Sequence, residues 1–364
     1  MKKVGFIGWR GMVGSVLMDR MKAENDFLQM ESYFFSTLKG GEAAPVVTNG
    51  HATVLSSIDI KELMKMDILV SCQGGDFTQE FHPALRNAGW KGYWVDAAST
   101  LRMKSDSVII LDPVNRGIIQ ESRSKGMKDF VGGNCTVSLM LIALDGLFKA
   151  DLIEWVSSMT YQAASGAGAK NMLELLAQME SVGKKYAQNP ALGALDMEKE
   201  TNQFISSQAF PTENFGHPLA LNLLPWIDSE LPSGQSKEEW KAQVEANKIL
   251  QTRKEIPIDG TCVRVGALRC HSQAMTIKLK KSVDLSTIES LIAEANPWVK
   301  LIPNNKKDSL SQLTPAAVSG KLQIPIGRVR KMTLGDQYLN AFTCGDQLLW
   351  GAAEPLRCML KMLV

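Results

Sequence analysis

The sequence is short of the features that mark metal centres, nucleic-acid surfaces and membrane spans. Its six cysteines form no C-x-x-C pair and show no metal-ligand spacing with its four histidines. Neither sign of charge dominates, because 40 basic residues stand against 38 acidic ones, so we expect no nucleic-acid partner. No apolar run approaches the roughly 20 residues of a membrane helix, and the one after Met1 is too short for a secretory signal. We therefore expect no metal, no membrane partner and reduced thiols in the cytoplasm.

What the sequence does contain is enough apolar residues, 45% of 364, for two domains with real cores. At the N-terminus a short buried strand, residues 3–8, leads into the spacing G-x-x-G-x-x-G at Gly8, Gly11 and Gly14, and then into a helical segment. Small residues there would let backbone N–H groups and the helix N-terminus reach a pyrophosphate. The usual fingerprint is G-x-G-x-x-G, and a glycine turn that only packs helix on strand is the alternative, but the strand-to-helix context favours a dinucleotide site.

The strand that follows indicates which dinucleotide. Residues 30–35 form a second strand that ends in Ser36-Thr37-Leu38-Lys39, where NAD enzymes usually carry an acid for the ribose 2′-hydroxyl. No acid stands there, and hydroxyls with a lysine suit a 2′-phosphate, so we expect NADP. Further strands at 67–72, 93–99 and 108–113 alternate with helical stretches, which predicts a doubly wound sheet up to about residue 133.

Cys135 is the candidate nucleophile. An apolar strand end runs through two glycines to Asn134, a good helix N-cap, and residues 137–144 read as a buried helix. A thiol at a helix start is expected to be stabilised as a thiolate, and free backbone N–H groups can hold an oxyanion. A cysteine that merely packs is the alternative. Cys72 competes as nucleophile, but it follows a strand rather than opening a helix, and we expect it to be structural.

The second half of the chain offers polar groups in loops and at strand ends. A strand at 154–161 ends at Gln162 and leads into a small-residue loop before a helix at 169–185; a purely structural turn is the rival interpretation. Residues 188–235 look like a wrapping loop. Ser236 and Glu239 then form a capping box that opens a helix.

That helix also carries Glu238 and Lys241, three residues apart, which the capping box leaves unexplained; a surface ion pair is the simpler interpretation. Arg102 follows the strand at 93–99 and could clamp a phosphate or carboxylate, although a solvated surface charge is more usual.

Two strands, separated by a break near residues 266–268, carry Arg264 before the break and His271 after it. The other histidines lie in a Gly/Asn-rich loop or before prolines, so by elimination His271 is the candidate acid/base, with a satisfied core histidine as the alternative. Strands at 327–331 and 338–343 precede a final helix that begins near residue 346. Pro355 within it predicts a kink or a restart, and this helix could return to cover the nucleotide domain.

Five motifs in chain order are more specific together than any of them alone: Gly8-x-x-Gly11-x-x-Gly14, Gly132-Gly133-Asn134-Cys135-Thr136, Gln162-x-x-Ser165-Gly166-x-Gly168, Val263-Arg264-Val265 and Cys270-His271-Ser272. With them the chain resembles the aspartate-semialdehyde dehydrogenase family over essentially its whole length, and most of all the enzymes of Gram-negative bacteria. The resemblance implies NADPH-dependent, reversible reduction of L-4-aspartyl phosphate to L-aspartate 4-semialdehyde with release of phosphate, on the route to lysine, threonine, methionine and isoleucine. It also implies a homodimer.

The resemblance assigns roles residue by residue. Cys135 matches the thioester nucleophile and His271 the acid/base. The substrate-binding positions are Gln162, Arg264 for the α-carboxylate and Glu238 for the α-ammonium, and the phosphate ligands are Arg102 and Lys241. The cofactor contacts are Gly8, Arg10, Gly11, Met12, Val13, Thr37, Leu38, Gln73, Ser165, Gly166, Ala167, Gly168, Ala169 and Gln347. Leu38 departs from the hydroxyl expected there and puts one hydrogen bond to the 2′-phosphate in doubt.

The fold expected is α/β: a Rossmann-like doubly wound nucleotide-binding domain at 1–133, joined by a C-terminal helix at 346–364, and an α+β catalytic and dimerisation domain with a mixed sheet at 134–345. Two alternatives remain. A reductase of N-acylated glutamyl phosphate would use the same cysteine chemistry but would give Glu238 no role, and an NADP(H)-sensing binding protein would need neither Cys135 nor His271.

Overall fold

A computed structural model describes residues 1–37 and 40–364. Its first sheet is built from alternating strands and helices, as the periodicity of the sequence predicts. In the described chain seven parallel strands lie in the order β3-β2-β1-β4-β5-β7-β6. They are β1 Lys2–Ile7, β2 Met30–Ser36, β3 Leu55–Ser56, β4 Ile68–Ser71, β5 Tyr93–Asp96, β6 Ser107–Ile110 and β7 Asp129–Gly132. The helices between them are α1 Met12–Ala23, α2 Ile60–Leu63, α3 Gly75–Asn87 and α4 Asp112–Ser124.

This topology positions the nucleotide site. The strand order reverses beside β1, with β2 on one side and β4 on the other, and a crevice opens at the carboxyl ends of the strands at such a point. Gly8 ends β1 with φ +73°, and a Cβ there would lie 2.6 Å from the backbone of Cys72 and Gln73, so only glycine fits. The predicted doubly wound sheet is confirmed.

The second sheet is mixed. Among the described residues it has eight strands, in the order β13-β14-β15-β12-β8-β11-β9 with β10 pairing β8. The elements of this half are α5 Cys135–Lys149, β8 Ile153–Gln162, α6 Ala169–Gln188, α7 Ala194–Ile205, β9 Leu223–Leu224, α8 Lys237–Leu250, β10 Ile258–Asp259, β11 Cys262–Val265, β12 Cys270–Leu279, α9 Leu285–Ala293, β13 Val299–Leu301, α10 Lys306–Gln312, α11 Pro315–Val318, β14 Ile324–Met332 and β15 Gly335–Asp346.

Helix α5 forms the centre of the second core. Its residues from Val137 to Leu147 are all buried, and they pack among β8, β12, β14 and α9. A helix that is apolar on every side belongs inside a core, as the run 137–144 predicts. Burying each Leu or Ile side chain contributes roughly 1.5–3 kcal/mol relative to exposure, so this helix fixes the start at Cys135 firmly.

Two stretches differ from the sequence expectation. The expected wrapping loop at 188–235 contains helix α7, which buries only Thr201 fully and packs Phe204 edge-on against Phe210. A helix with so small a buried face leaves little apolar periodicity to detect. The chain also stays extended in β15 as far as Asp346, where a helix start was expected, because β15 pairs with β12 from Tyr338 to Asp346.

The C-terminal segment packs on the first sheet. After β15 comes a π-helical turn, Leu349–Ala353, and then α12, Glu354–Leu363, whose first turn contains Pro355, so the restart predicted at this proline is confirmed. Leu356 and Leu360 of α12 join the core of the first sheet with Phe6 and Phe130.

Candidate active site

Cys135 begins α5 in the way the sequence predicts. β7 ends at Gly132, and the Asn134 side chain caps the helix by accepting hydrogen bonds from the backbone N–H groups of Thr136 (2.9 Å) and Val137 (3.2 Å). This leaves Cys135 as the first residue of the helix, facing a cavity of about 480 Å³. Nine of the residues proposed from sequence line this cavity: Arg102, Cys135, Gln162, Gly166, Ala167, Glu238, Lys241, Arg264 and Gln347.

Glu238 is a buried carboxylate that joins several of these groups. Its Oε1 accepts hydrogen bonds from Asn134 Nδ2 (2.9 Å) and Gln162 Nε2 (3.2 Å), and its Oε2 lies 3.0 Å from Lys241 Nζ. Burial alone would raise the pKa of Glu238, but the Lys241 ammonium and these hydrogen bonds outweigh it and hold the pKa below its ordinary value. Glu238 and Lys241 are therefore an ion pair inside the cavity and not the surface pair of the simpler interpretation.

The two candidate phosphate ligands both have carboxylate partners that no sequence motif indicated. Arg102 donates to the Gly132 carbonyl (2.7 Å) and pairs with Glu245 of α8 at 3.1 Å. Glu245 is buried and also accepts the backbone N–H of Asn134 (2.7 Å), so one carboxylate ties Arg102 to the turn before Cys135. Lys241 contacts Asp228 at 2.7 Å. Glu245 and Asp228 lie 143 and 13 residues from their partners, and neither contact leaves a local signal in the sequence.

Arg264 and His271 meet at Gly166. Arg264 donates from Nη1 to the Ala163 carbonyl (2.8 Å). A Cβ on Gly166 would lie 2.8 Å from Arg264 Nη1 and 3.1 Å from His271 Cε1, so a side chain at this position would displace both. The break that the sequence predicts between β11 and β12 is confirmed, and it allows these two side chains to converge although they are seven residues apart.

His271 is fully buried and its hydrogen bonding defines its tautomer. The backbone N–H of Ala163 donates to Nδ1 (2.9 Å), so in the neutral ring the hydrogen resides on Nε2, for which the described residues provide no hydrogen-bond partner. Burial, together with the nearby Arg264 guanidinium, lowers the pKa of His271 to about 3. The ring is thus a neutral hydrogen-bond donor at Nε2, and it could accept a second proton only at Nδ1, where the bond from Ala163 would first have to open.

The expectation that the helix start stabilises a Cys135 thiolate is wrong for the substrate-free site. Burial and the Glu238 carboxylate raise the pKa of the Cys135 thiol to about 12, against the opposing influence of Arg264, Arg102 and Lys241. Burial is the largest of these influences. Cys135 therefore remains a thiol until the charge balance of the cavity changes.

The C-terminal segment closes one side of this cavity. Gln347 donates from Nε2 to the Ser165 hydroxyl (2.8 Å), which links the end of β15 to the loop after β8. Gly351, in the π-helical turn, lies so close that a Cβ there would be 2.8 Å from Cys135 Cβ. Gln347 was proposed from sequence, whereas Gly351 was not.

A second cavity, of about 310 Å³, lies at the reversal of the first sheet. The residues lining it that were proposed as cofactor contacts are Gly8, Arg10, Gly11, Thr37 and Gln73. Arg10 lies over the Trp9 ring, 4.4 Å from its centroid, and pairs with Glu42 at 2.7 Å. Of the described residues that line this cavity, none carries a carboxylate, which suits a 2′-phosphate.

Of the other proposed cofactor residues, those that the structure describes are not among the residues lining the two cavities. Met12 and Val13 form the first turn of α1, and Gly168 and Ala169 mark the start of α6. Leu38 lies outside the described residues. Cys72 lines the nucleotide cavity and not the cavity of Cys135, as fits a structural cysteine.

Comparison with known proteins decides the family. Residues 3–122 match a family model described as "Semialdehyde dehydrogenase, NAD binding domain", and residues 144–350 match "Semialdehyde dehydrogenase, dimerisation domain". An aspartate semialdehyde dehydrogenase from Francisella tularensis is 51% identical, with all of both chains covered and a TM-score of 0.97. The chain belongs to the aspartate-semialdehyde dehydrogenase family. The predicted family is thereby confirmed.

More distant members of this family share the fold. A Vibrio cholerae aspartate semialdehyde dehydrogenase II complexed with ASA is 22% identical, covering 100% of this chain and 98% of that one, with a TM-score of 0.80. A Candida albicans enzyme with NADP is 16% identical over the same shares, with a TM-score of 0.65. Within the described ranges, no helix is long and apolar enough to cross a membrane.

Proposed function

We propose that this chain catalyses the reversible, NADPH-dependent reduction of L-4-aspartyl phosphate to L-aspartate 4-semialdehyde with release of phosphate. One observation carries the proposal: a single cavity is lined by a thiol, a buried carboxylate and three cationic side chains. Such a set matches a substrate that has an α-ammonium, an α-carboxylate and a phosphorylated acyl group. Membership of the family agrees with it, as do the related structures that contain ASA and NADP.

Recognition of the amino-acid end falls to three side chains. Arg264 pairs with the α-carboxylate, because a guanidinium can donate two parallel hydrogen bonds to it. Glu238 binds the α-ammonium, and Gln162, already hydrogen bonded to Glu238, orients the substrate between them. An N-acylated glutamyl phosphate has no ammonium for Glu238 to bind, so the buried carboxylate does not favour that alternative.

The other end of the substrate carries the phosphate. Arg102 and Lys241 are the cations of the cavity that remain for it, and both are held by neighbouring carboxylates. Their charge stabilises phosphate as it leaves in one direction and concentrates it for attack in the other.

The covalent steps centre on Cys135. Its sulfur attacks the acyl carbon, the carbon–oxygen bond to phosphate breaks, and phosphate leaves a thioester on the enzyme. NADPH, when bound, supplies the hydride that reduces this thioester. His271 donates a hydrogen bond from Nε2 to the oxygen that gains negative charge, which fits the acid half of its expected acid/base role. The carbon–sulfur bond then breaks, the aldehyde leaves, and the sulfur departs as a thiolate, which takes up a proton from solvent.

Substrate binding itself prepares the nucleophile. Glu238 raises the pKa of the Cys135 thiol in the empty cavity, and a bound α-ammonium neutralises that carboxylate. Compensating the Glu238 charge removes one of the two influences that raise the pKa of the thiol, so the thiolate forms more readily. We infer that the thiol is activated only when an amino-acid substrate is in place.

The nucleotide cavity supports NADP. Gly8 and Gly11 would give the pyrophosphate access to the N-terminus of α1, and Arg10 and Thr37, which line the same cavity, would contact the 2′-phosphate. We also propose that 1–133 with 346–364 forms the nucleotide domain and 134–345 the catalytic domain. The two separate sheets and the packing of α12 support this division.

A homodimer and a cytoplasmic location complete the proposal. The dimerisation-domain model supports the homodimer, and the free thiols of the six cysteines support the cytoplasmic location.

The test is a steady-state assay of NADP reduction with aspartate semialdehyde and phosphate. We expect turnover that requires phosphate and prefers NADP over NAD, and expect Cys135→Ala to abolish turnover while cofactor binding, followed by fluorescence, is retained. Turnover in Cys135→Ala within tenfold of the parent would refute the assignment, whereas Cys72→Ala serves as the matched cysteine control. Cofactor binding without turnover on any aldehyde would instead support the NADP(H)-sensing alternative.

A further inference from the structure

Lys241 is held by two carboxylates of different character. Its Nζ lies 3.0 Å from Glu238 Oε2 and 2.7 Å from Asp228 Oδ2. An ammonium group has three donors, so one is left for any other ligand. Burial would lower the pKa of Lys241, but Glu238 and Asp228 raise it overall, so the lysine stays charged. The described structure thus has the candidate phosphate ligand paired with anions of the protein itself.

Asp228 lies in a position from which its side chain can move away from Lys241. It lines the cavity from an irregular segment between β9 and α8, and 32% of its side-chain surface is exposed, against 7% for Glu238. Its backbone has φ +73°, a left-handed conformation that costs a non-glycine residue energy. Two local hydrogen bonds retain it: Ser229 N–H donates to its Oδ1 (2.8 Å), and Trp226 Nε1 donates to its carbonyl (2.9 Å).

The partner of the other candidate phosphate ligand is different. Glu245, which pairs with Arg102, is buried within α8 and also holds the backbone of Asn134. Moving it would leave a charge without partners inside the protein, so that pair is permanent. Of the two pairs, only Lys241–Asp228 can open at low cost.

We propose that Asp228 is a placeholder for phosphate: its carboxylate occupies the Lys241 donor when the phosphate subsite is empty and is displaced when phosphate binds. This inference rests on the proposed function. A phosphate dianion and the Asp228 carboxylate at one ammonium repel each other, so each disfavours the other. Displacement also frees a second donor of Lys241 for phosphate, while the third stays with Glu238.

The placeholder serves the reductive direction of the reaction. Once the thioester has formed, Asp228 returns to Lys241 and competes with the released phosphate, which shortens the time that phosphate stays. The cost appears in the opposite direction, where phosphate has to displace Asp228 before it can attack the thioester. Asp228 therefore acts through Lys241 as a positioning residue and sets the affinity for phosphate.

The experiment is a kinetic matrix on Asp228→Asn, with phosphate and aspartate semialdehyde varied separately. Asparagine keeps the shape and an acceptor for Lys241 but removes the charge. We expect the KM for phosphate to fall about two- to fivefold, the range for losing a partly exposed ion pair that competes with a ligand. The KM for semialdehyde stays unchanged, and phosphate becomes a correspondingly stronger product inhibitor of the reductive reaction.

Asp228→Ala is the second variant and Glu230→Gln the control, since Glu230 lies in the same segment outside the cavity. A placeholder predicts a lower phosphate KM for both Asp228 variants and no change for Glu230→Gln. If Asp228 only orients Lys241, Asp228→Ala raises the phosphate KM, and that result, or an unchanged KM in Asp228→Asn, would overturn the inference. Failure of the proposed function looks different, because the parent itself would then show no phosphate-dependent turnover.

Discussion

Glu238 raises the pKa of two neighbours in the cavity, Lys241 and Cys135, which charges the first and neutralises the second. It keeps Lys241 charged and Cys135 protonated. A single carboxylate therefore maintains the cation that binds phosphate and keeps the nucleophile in its unreactive thiol form. A bound α-ammonium would change the second effect most, because Lys241 keeps Asp228 as a partner, whereas Cys135 is freed from the carboxylate that raises its pKa. Recognition of the amino group and activation of the thiol are then one event.

Replacing Glu238 by glutamine tests this coupling without substrate. Glu238→Gln removes the charge that raises the pKa of Cys135, so alkylation of Cys135 by iodoacetamide at pH 8 should become about three- to tenfold faster. Mass spectrometry of the peptide containing Cys135 separates this thiol from the other five. Glu294→Gln, an exposed carboxylate outside the cavity, is the control, and an equal alkylation rate in Glu238→Gln and parent would contradict the coupling.

His271 predicts a specific acid sensitivity. Its pKa in the folded chain is lowered to about 3, while the unfolded chain binds the proton near the ordinary value, so the unfolded state gains protons first as the pH falls through about 6.5. The free energy of unfolding should then fall by roughly 2 kcal/mol between pH 7 and pH 5 on account of this residue.

Urea unfolding of His271→Gln at both pH values checks that sign. The variant should lose roughly 2 kcal/mol less than the parent over this interval, whatever its stability at pH 7. His51→Gln, at an exposed histidine, should behave as the parent does. Equal losses in His271→Gln and the parent would mean that the buried ring is protonated as readily as a free one.

At the scale of the element, the π-helical turn Leu349–Ala353 packs against the start of α5, where Gly351 contacts Cys135. Sequence reasoning found Cys135, its cap and the restart at Pro355, because Asn-Cys-Thr before an apolar run and a proline inside a helix are local signals. It placed a helix start at residue 346 because nothing local distinguishes the end of a long paired strand from the beginning of a helix. The contact between Gly351 and Cys135 joins residues more than 200 positions apart and could not be predicted.

Gly351→Ala tests whether the contact between this turn and α5 positions the nucleophile. The new methyl group would lie 2.8 Å from Cys135 Cβ, so either Cys135 or the turn has to shift. We expect kcat to fall about ten- to hundredfold, as small displacements of reacting groups do, with the affinity for NADP nearly unchanged. Gly117→Ala in α4, where a Cβ meets open space, should leave kcat unaltered; an unaltered kcat in Gly351→Ala as well would show that the contact is only packing.

At the scale of the whole molecule, the active site is assembled from both halves of the chain. Arg102 comes from the loop after β5, Cys135 from the start of α5, and Glu245 from α8, so the site exists only when the two sheets are in place. The alternation of strands and helices was readable along the chain, as was the break before His271. Glu245 and Asp228 were not, since ion pairs between residues 143 and 13 positions apart follow no periodicity, and α7 was missed because it buries so little.

The surface of the second half predicts how subunits associate. Leu173, Leu176 and Met179 of α6 are exposed by 43–66%, and Tyr161 of β8 is exposed by 38%. In a domain of the dimerisation family, such side chains are expected to lie in the homodimer contact. The double variant Leu173→Glu/Met179→Glu should therefore sediment as a 40 kDa species at micromolar concentration, while the parent sediments as a dimer. Leu28→Glu, at an exposed leucine of the first half, is the control, and a double variant that remains dimeric would place the contact elsewhere.

The thioester on Cys135 is the centre of this account, and a burst experiment without phosphate tests it most directly. When the enzyme is mixed with NADP and aspartate semialdehyde, we expect one NADPH per active subunit and then no turnover, with an aspartyl group on the peptide containing Cys135. Added phosphate should release that group and restore turnover. Steady turnover without phosphate, or a burst that leaves Cys135 unmodified, would contradict the account.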